Sequence, residues 1–264
     1  MLLPTDCEVL TLTDPRMCEA RIDTAVLRHN SSALLAEAGA MPLLADVSAD
    51  GHGHGALETS FAAIEGGAQW LGVSDAADAI ALREAGIDAP ILVSFAVGGS
   101  THLPNVYLRS DSSVPALFDA GVTLYGIGPD AARLGLEAAM RVTAVVLTTK
   151  TIHAGEGVSY GYTYRAERDT NLAMIAIGYA DGLDRRAGNA ATVLLGGQDR
   201  RIVGRVAMNA AVLELGEDTT AVGEEAVLLG ASGEPSADAW AQALGITADE
   251  AVTVFGRRLA RSHR

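Results

Sequence analysis

Residues 41–67, MPLLADVSADGHGHGALETSFAAIEGG, decide the fold class. The apolar run ending at Val47 reads as a short buried strand. The glycines of GHGHG break it, and ALETSFAAIE reads as a helix closed by Gly66 and Gly67. Working outward, Ile22 to Ala38 repeats apolar residues at helical spacing behind Asp23, a good N-cap. WLGVS, AADAIALREAG behind Asp75, and PILVSFAV supply a second strand, a helix and a third strand. Alternating β and α predicts a parallel sheet of βαβ units, open or closed into a barrel.

After Val97 the rhythm falters. GGSTHLPN reads as a loop, VYLRS as a strand, VPALFDAG as a short helix and VTLYGIG as a strand ending at Pro129. From Ala138 the character turns to β, through RVTAVVLTT, NLAMIAIGYA, ATVLLGG, RRIVGRVAM, AAVLELG and EEAVLLG. A late helix, SADAWAQALG, and the segment EAVTVFGRR complete the chain. The expected organisation is an N-terminal extension over 1–18, a partial (β/α) barrel domain over 19–130 and a C-terminal β domain over 131–264, with the boundary near residues 130–137.

The chain has 264 residues, 49% of them hydrophobic, enough for a substantial core. No apolar run reaches the length of a membrane span, and MLLPTDCEVL lacks the basic start and apolar core of a signal peptide, so a cytoplasmic location is expected. The net charge of −14 repels nucleic-acid backbones and anionic membranes and leaves a small molecule or a protein as the expected partner. Cys7 and Cys18 lie outside any zinc or redox spacing.

Eight stretches carry a family resemblance: RIDTAVLRHN, ADGHGHG, WLGVSDAADAIALREAGIDAPILV, GVTLYGIGP, AGEGVSYGYTY, IGYADG, VGRVAMN and SADAWAQALG. In this order they resemble the alanine racemases, over residues 19–97 and 119–261. The resemblance implies an N-terminal (β/α)8 barrel carrying pyridoxal phosphate, a C-terminal β domain, and a head-to-tail homodimer in which each β domain completes the partner's site.

Against that pattern the chain departs in several places. The lysine that forms the cofactor's Schiff base falls at Ser48, whose hydroxyl cannot form an imine. The only lysine is Lys150, in the β region. A phosphate-contacting tyrosine falls at His52, the arginine that pairs with the pyridine nitrogen at Asp119, and a second phosphate-contacting tyrosine at Asp249. An aspartate beside a phosphate is repulsive. The middle of the barrel is short, with room for three or four βα units where closure takes eight.

Other positions match the pattern. Tyr160 falls on the tyrosine that acts on one face of the substrate's α-carbon from across the dimer; it reads either as a proton-transfer group or as part of the SYGYTY loop on which the dimer packs. Tyr179 lines the substrate entrance with Arg185 nearby, and Met208 with Asn209 falls on the loop near the substrate carboxylate. His52 and His54 sit one residue apart at the carboxyl end of a strand, beside Asp46 and Asp50. That pattern reads as a metal site, as one histidine acting as an acid/base near neutral pH, or as structural hydrogen bonding; no further ligand cluster completes a metal set. These substitutions lead to the expectation of an alanine-racemase-like protein that has lost pyridoxal phosphate chemistry. It is repurposed as a cofactor-independent, isomerase- or lyase-like enzyme with Tyr160, His52, His54 and Asp50 as catalytic groups. Ser48, Tyr179, Arg185, Met208 and Asn209 form the substrate pocket, with no cofactor and no metal. The alternative is a non-catalytic scaffold, and a working racemase is the third reading.

Overall fold

The computed structural model describes residues 17–95 and 103–264. The proposed extension over 1–18 lies outside the described residues except for its last two, as do residues 96–102, which include Val97 and His102. The chain divides into two compact units, residues 17–19 with Val142–Leu228, and Ala20–Arg141 with Leu229–Arg264.

β1 (Cys18–Ile22) leads into the second unit, where α1 (Thr24–Ala38) follows with Asp23 as its N-cap, accepting the N–H groups of Ala25 and Val26. Next come β2 (Leu43–Asp46), the helical turn α2 (Ser48–His52), α3 (Ala56–Glu65), β3 (Trp70–Val73) and α4 (Ala76–Glu84), the last capped by Asp75. β4 (Ile91–Val93), β5 (Val106–Leu108), β6 (Phe118–Asp119) and α5 (Pro129–Leu134) follow. The five strands β5-β4-β3-β2-β6 form one sheet in that order, and its pairings are parallel. It is a partial (β/α) barrel. Leu44, Trp70 and Leu92 bury one of its faces beneath Tyr107, Val114 and Leu117.

Two expectations in this unit are corrected. VPALFDAG forms no helix: Phe118 and Ala120 donate to Pro42 O and Leu44 O, so the backbone is satisfied by pairing with β2 instead. VTLYGIG is not a strand but a 3-10 helix, Gly121–Tyr125. The buried Asn30 side chain holds it, donating to Leu124 O at 3.0 Å and Glu137 O at 2.9 Å. Gly126, at φ +74°, lets Glu137 O pass where a Cβ would come within 1.9 Å of it.

The other unit is built on β7 (Met140–Ile152), β8 (Gly157–Val158), β9 (Tyr164–Arg165), β10 (Thr170–Ile175), β11 (Thr192–Leu195), β12 (Gln198–Arg201), β13 (Ala211–Gly216) and β14 (Glu225–Leu229). Its strands run in the order β12-β11-β14-β7, with β10 antiparallel to both β7 and β13. Ile152, Val158, Ala166, Leu172 and Val203 form a core beneath it. The expected strand RRIVGRVAM reaches only Arg201, with an isolated bridge at Ile202, because Gly204 turns the chain away at φ +74°.

The chain ends in the second unit with α6 (Ala237–Leu244), capped by Ser236, then α7 (Ala248–Arg258) and β15 (Ala260–His263). β15 lies beside β1, and Arg264 N–H donates to Ile22 O. Among the described residues no helix is long and apolar enough to cross a membrane.

Candidate functional site

At the carboxyl end of β2 the chain enters a left-handed turn. Ala49, Asp50, Gly51 and His52 have φ of 52°, 60°, 63° and 48°. Left-handed helical backbone costs a non-glycine residue about 1–2 kcal/mol, so three such residues in a row of four need support from outside the turn. That support comes from the C-terminal segment. Arg261 pairs with Asp50 Oδ2 and donates to Gly53 O at 3.1 Å, and His263 Nε2 lies 2.8 Å from His54 O. Asp50 Oδ1 also accepts the Ala56 N–H at 3.0 Å, fixing the first turn of α3.

This turn gathers the sequence-predicted residues Ser48, Asp50, His52 and His54. Ser48 is half-buried, and its N–H donates to Asp46 Oδ1 at 2.9 Å. The His52 and His54 rings lie 5.0 and 4.4 Å from the Tyr125 ring, and each histidine has a buried Nε2 without a partner. Burial drives the His54 pKa down to about 3, so the ring is neutral. Burial likewise raises the Tyr125 pKa, aided by the Asp46 and Asp50 charges. Tyr125 therefore stays a neutral phenol and donates to Asp46 O at 2.7 Å. Among the described residues no three His, Cys, Asp or Glu side chains gather as a metal site would need.

Tyr160, Tyr179, Arg185, Met208 and Asn209 belong to the unit of β7–β14. Tyr160 opens a 3-10 turn, Tyr160–Tyr162, and is 73% exposed. The turn is anchored by Ser159, whose hydroxyl donates to Arg205 O at 2.5 Å. Tyr179 N–H donates to Ala207 O and Ala180 N–H to Met208 O, bringing IGYADG against VGRVAMN. The Arg185 guanidinium lies 5.4 Å from the Tyr179 ring centre, within cation–π range. Met208 is 55% exposed and Asn209 half-buried.

Sequence reading missed Tyr125, Arg261 and His263 as parts of the β2 site. Arg261 and His263 lie more than 200 residues from the turn they support, and no local pattern in RRLARSHR marks them.

The turn does not fit a covalently held pyridoxal phosphate. Ser48 offers no amine at the carboxyl end of β2, and the chain's single lysine, Lys150, is an exposed residue of β7 in the other unit. Asp119, in place of the ring-pairing arginine, bears a carboxylate that lies 3.8 Å from Arg109.

Two family models match the chain, alanine racemase N-terminal domain over residues 22–106 and alanine racemase C-terminal domain over residues 139–263. The alanine racemase of Frankia casuarinae is 31% identical, with 95% of this chain and 97% of the relative covered. That of Salinispora arenicola is 32% identical, with 93% and 98% covered. The first of these alignments runs over 373 residues, longer than this chain, so the relative carries segments with no counterpart here. The solved alanine racemase of Streptomyces coelicolor superimposes with a TM-score of 0.86 at 27% identity, covering 94% of this chain and 98% of that one.

These relatives overturn the expectation of a protein that has abandoned the family's chemistry for cofactor-independent work or for scaffolding. Identity at about 30% across nearly the whole length joins the chain to proteins named alanine racemase, and substitutions at Ser48, His52, Asp119 and Asp249 do not outweigh it. What Ser48 excludes is an imine at that position, not an isomerase activity. With both of its domain models matched and its fold shared, the chain belongs to the alanine racemase family.

Proposed function

We propose that this chain is an amino-acid isomerase that interconverts the enantiomers of a small α-amino acid of the alanine class, working in the cytoplasm as a homodimer. The observation that carries this reading is the identity of about 31% to an alanine racemase over 95% of the chain. Racemisation removes the α-proton on one face of the substrate and returns it on the other, so it needs two proton-transfer groups. We assign one face to Tyr160, whose exposed phenol is free to reach a second copy. We assign the other to the Ser48–His54 turn, where His52 is the half-buried ring with an unpartnered Nε2. Tyr179, Arg185, Met208 and Asn209 bind the substrate, with Arg185 supplying positive charge for its carboxylate.

Incubating the protein with L-alanine in deuterated water, with and without added pyridoxal phosphate, tests this by proton NMR. Loss of the α-proton signal in either arm supports the reading; retention of it in both arms overturns it.

A further inference from the structure

Within the unit that holds β2, an open cleft of about 610 Å³ runs between residues 126–138 and the loop 230–238, with Glu137, Glu234 and Asp238 among its walls. A narrower cavity of about 30 Å³ shares Gly126, Ala138, Gly230, Ser236 and Asp238 with that cleft and is lined also by His54 and Tyr125, which the wider cleft does not reach. Such a volume admits one small polar group.

His54 is fully buried and its Nε2 has no hydrogen-bond partner. Its Nδ1 lies 3.1 Å from Gly51 O and 3.2 Å from His52 O. Carbonyl oxygens only accept, so Nδ1 carries the proton of the neutral ring and Nε2 presents a lone pair. Whatever reaches Nε2 has to donate. Asp238 borders both cavities and accepts the Gly128 N–H at 3.3 Å, which leaves most of its acceptor capacity unused. Glu234 is neutralised by Arg141, at 2.9 and 3.1 Å, whereas Glu137 and Asp238 add uncompensated negative charge to the cleft wall. A ligand carboxylate is repelled there. A protonated primary amine matches the site on three counts: N–H donors, positive charge and a head the size of the narrower cavity.

We propose that this cleft binds a small primary alkylamine, its ammonium head held between His54 Nε2 and the Asp238 carboxylate and its carbon chain in the outer cleft. The site does not rest on the isomerase reading, and failure of either leaves the other standing.

The test is a titration of the full chain with n-butylammonium, read by calorimetry and by the NMR signals of the histidine ring nitrogens. Butyrate and n-butanol serve as controls. The expected result is saturable binding of the amine with movement of the His54 Nε2 resonance, and no binding of butyrate. Asp238→Asn keeps an acceptor for the Gly128 N–H but removes the charge, and it is expected to weaken amine binding at least about tenfold without lowering the melting temperature. The proposal is overturned if the His54 signal does not move at about 10 mM amine. It is equally overturned if n-butanol binds as well as the amine, which would mark a hydroxyl- or water-filled cavity, or if Asp238→Asn binds unchanged.

Discussion

Ala49 sits at φ 52° inside a left-handed turn, and its side chain brings no compensating hydrogen bond to that strain. Ala49→Gly is therefore expected to stabilise the protein by roughly 0.5–1 kcal/mol, the relief of strain exceeding the added freedom of the unfolded chain. Urea denaturation measures it, and a destabilised variant would show that the turn is held differently. His54 gives the pH dependence its sign. Its folded pKa is depressed to about 3 from an ordinary 6.5, so below pH 6.5 the unfolded chain binds a proton that the folded chain refuses. Its contribution is fully present above pH 6.5 and is lost as the pH falls toward 3, at up to about 1.4 kcal/mol per pH unit. Denaturation midpoints at pH 7.5 and 5 test this, with His54→Asn expected to flatten that part of the dependence. Tyr160 belongs to function rather than stability. Exposed on its turn, it is expected to tolerate Tyr160→Phe with an unchanged melting temperature, while α-proton exchange falls by about 100-fold or more.

Among the elements, α7 shows how the β2 turn is held from far away in the chain. A Cβ on Gly256 would come within 1.9 Å of Gly53 O, so the helix and the turn touch backbone to backbone. Gly256→Ala is expected to cost several kcal/mol, or to abolish soluble expression, because neither backbone can yield without moving its element. A variant that melts like the native protein would contradict that packing. This contact also shows where sequence reading ends. Asp23 and Asp75 announce their helices because a cap acts within three residues. MPLLAD, WLGV and ILV announce buried parallel strands because both faces are covered. The VTLYGIG segment misleads, since Leu124 and Tyr125 are as buried as strand residues while their backbone is held by a distant Asn30. The left-handed turn is equally hidden: glycines at 51, 53 and 55 signal a tight turn, but Asp50 and His52 tolerate their backbone only because Arg261 and His263 return to it.

For the molecule as a whole, family motifs were more informative than the substitutions within them. GEGVSYGYTY and IGYADG place Tyr160 and Tyr179 in a chain whose fold superimposes on a solved alanine racemase with a TM-score of 0.86. Ser48, His52, Asp119 and Asp249 mislead because each changes one side chain, whereas the family identity extends over 95% of the chain around them. Exposure of Tyr160, Tyr162 and Met208 on one unit fits the proposed homodimer, in which a partner covers them. Sedimentation velocity at micromolar concentration is expected to give twice the chain mass; a monomer there would leave Tyr160 without a second copy to serve. Chiral chromatography of alanine incubated with the purified protein measures the proposed isomerase activity directly. Starting from either pure enantiomer, with and without pyridoxal phosphate, the alanine is expected to converge on an equal mixture in at least one arm, at a rate lowered about 100-fold or more by Tyr160→Phe. Enantiomers that stay pure in every arm would contradict it.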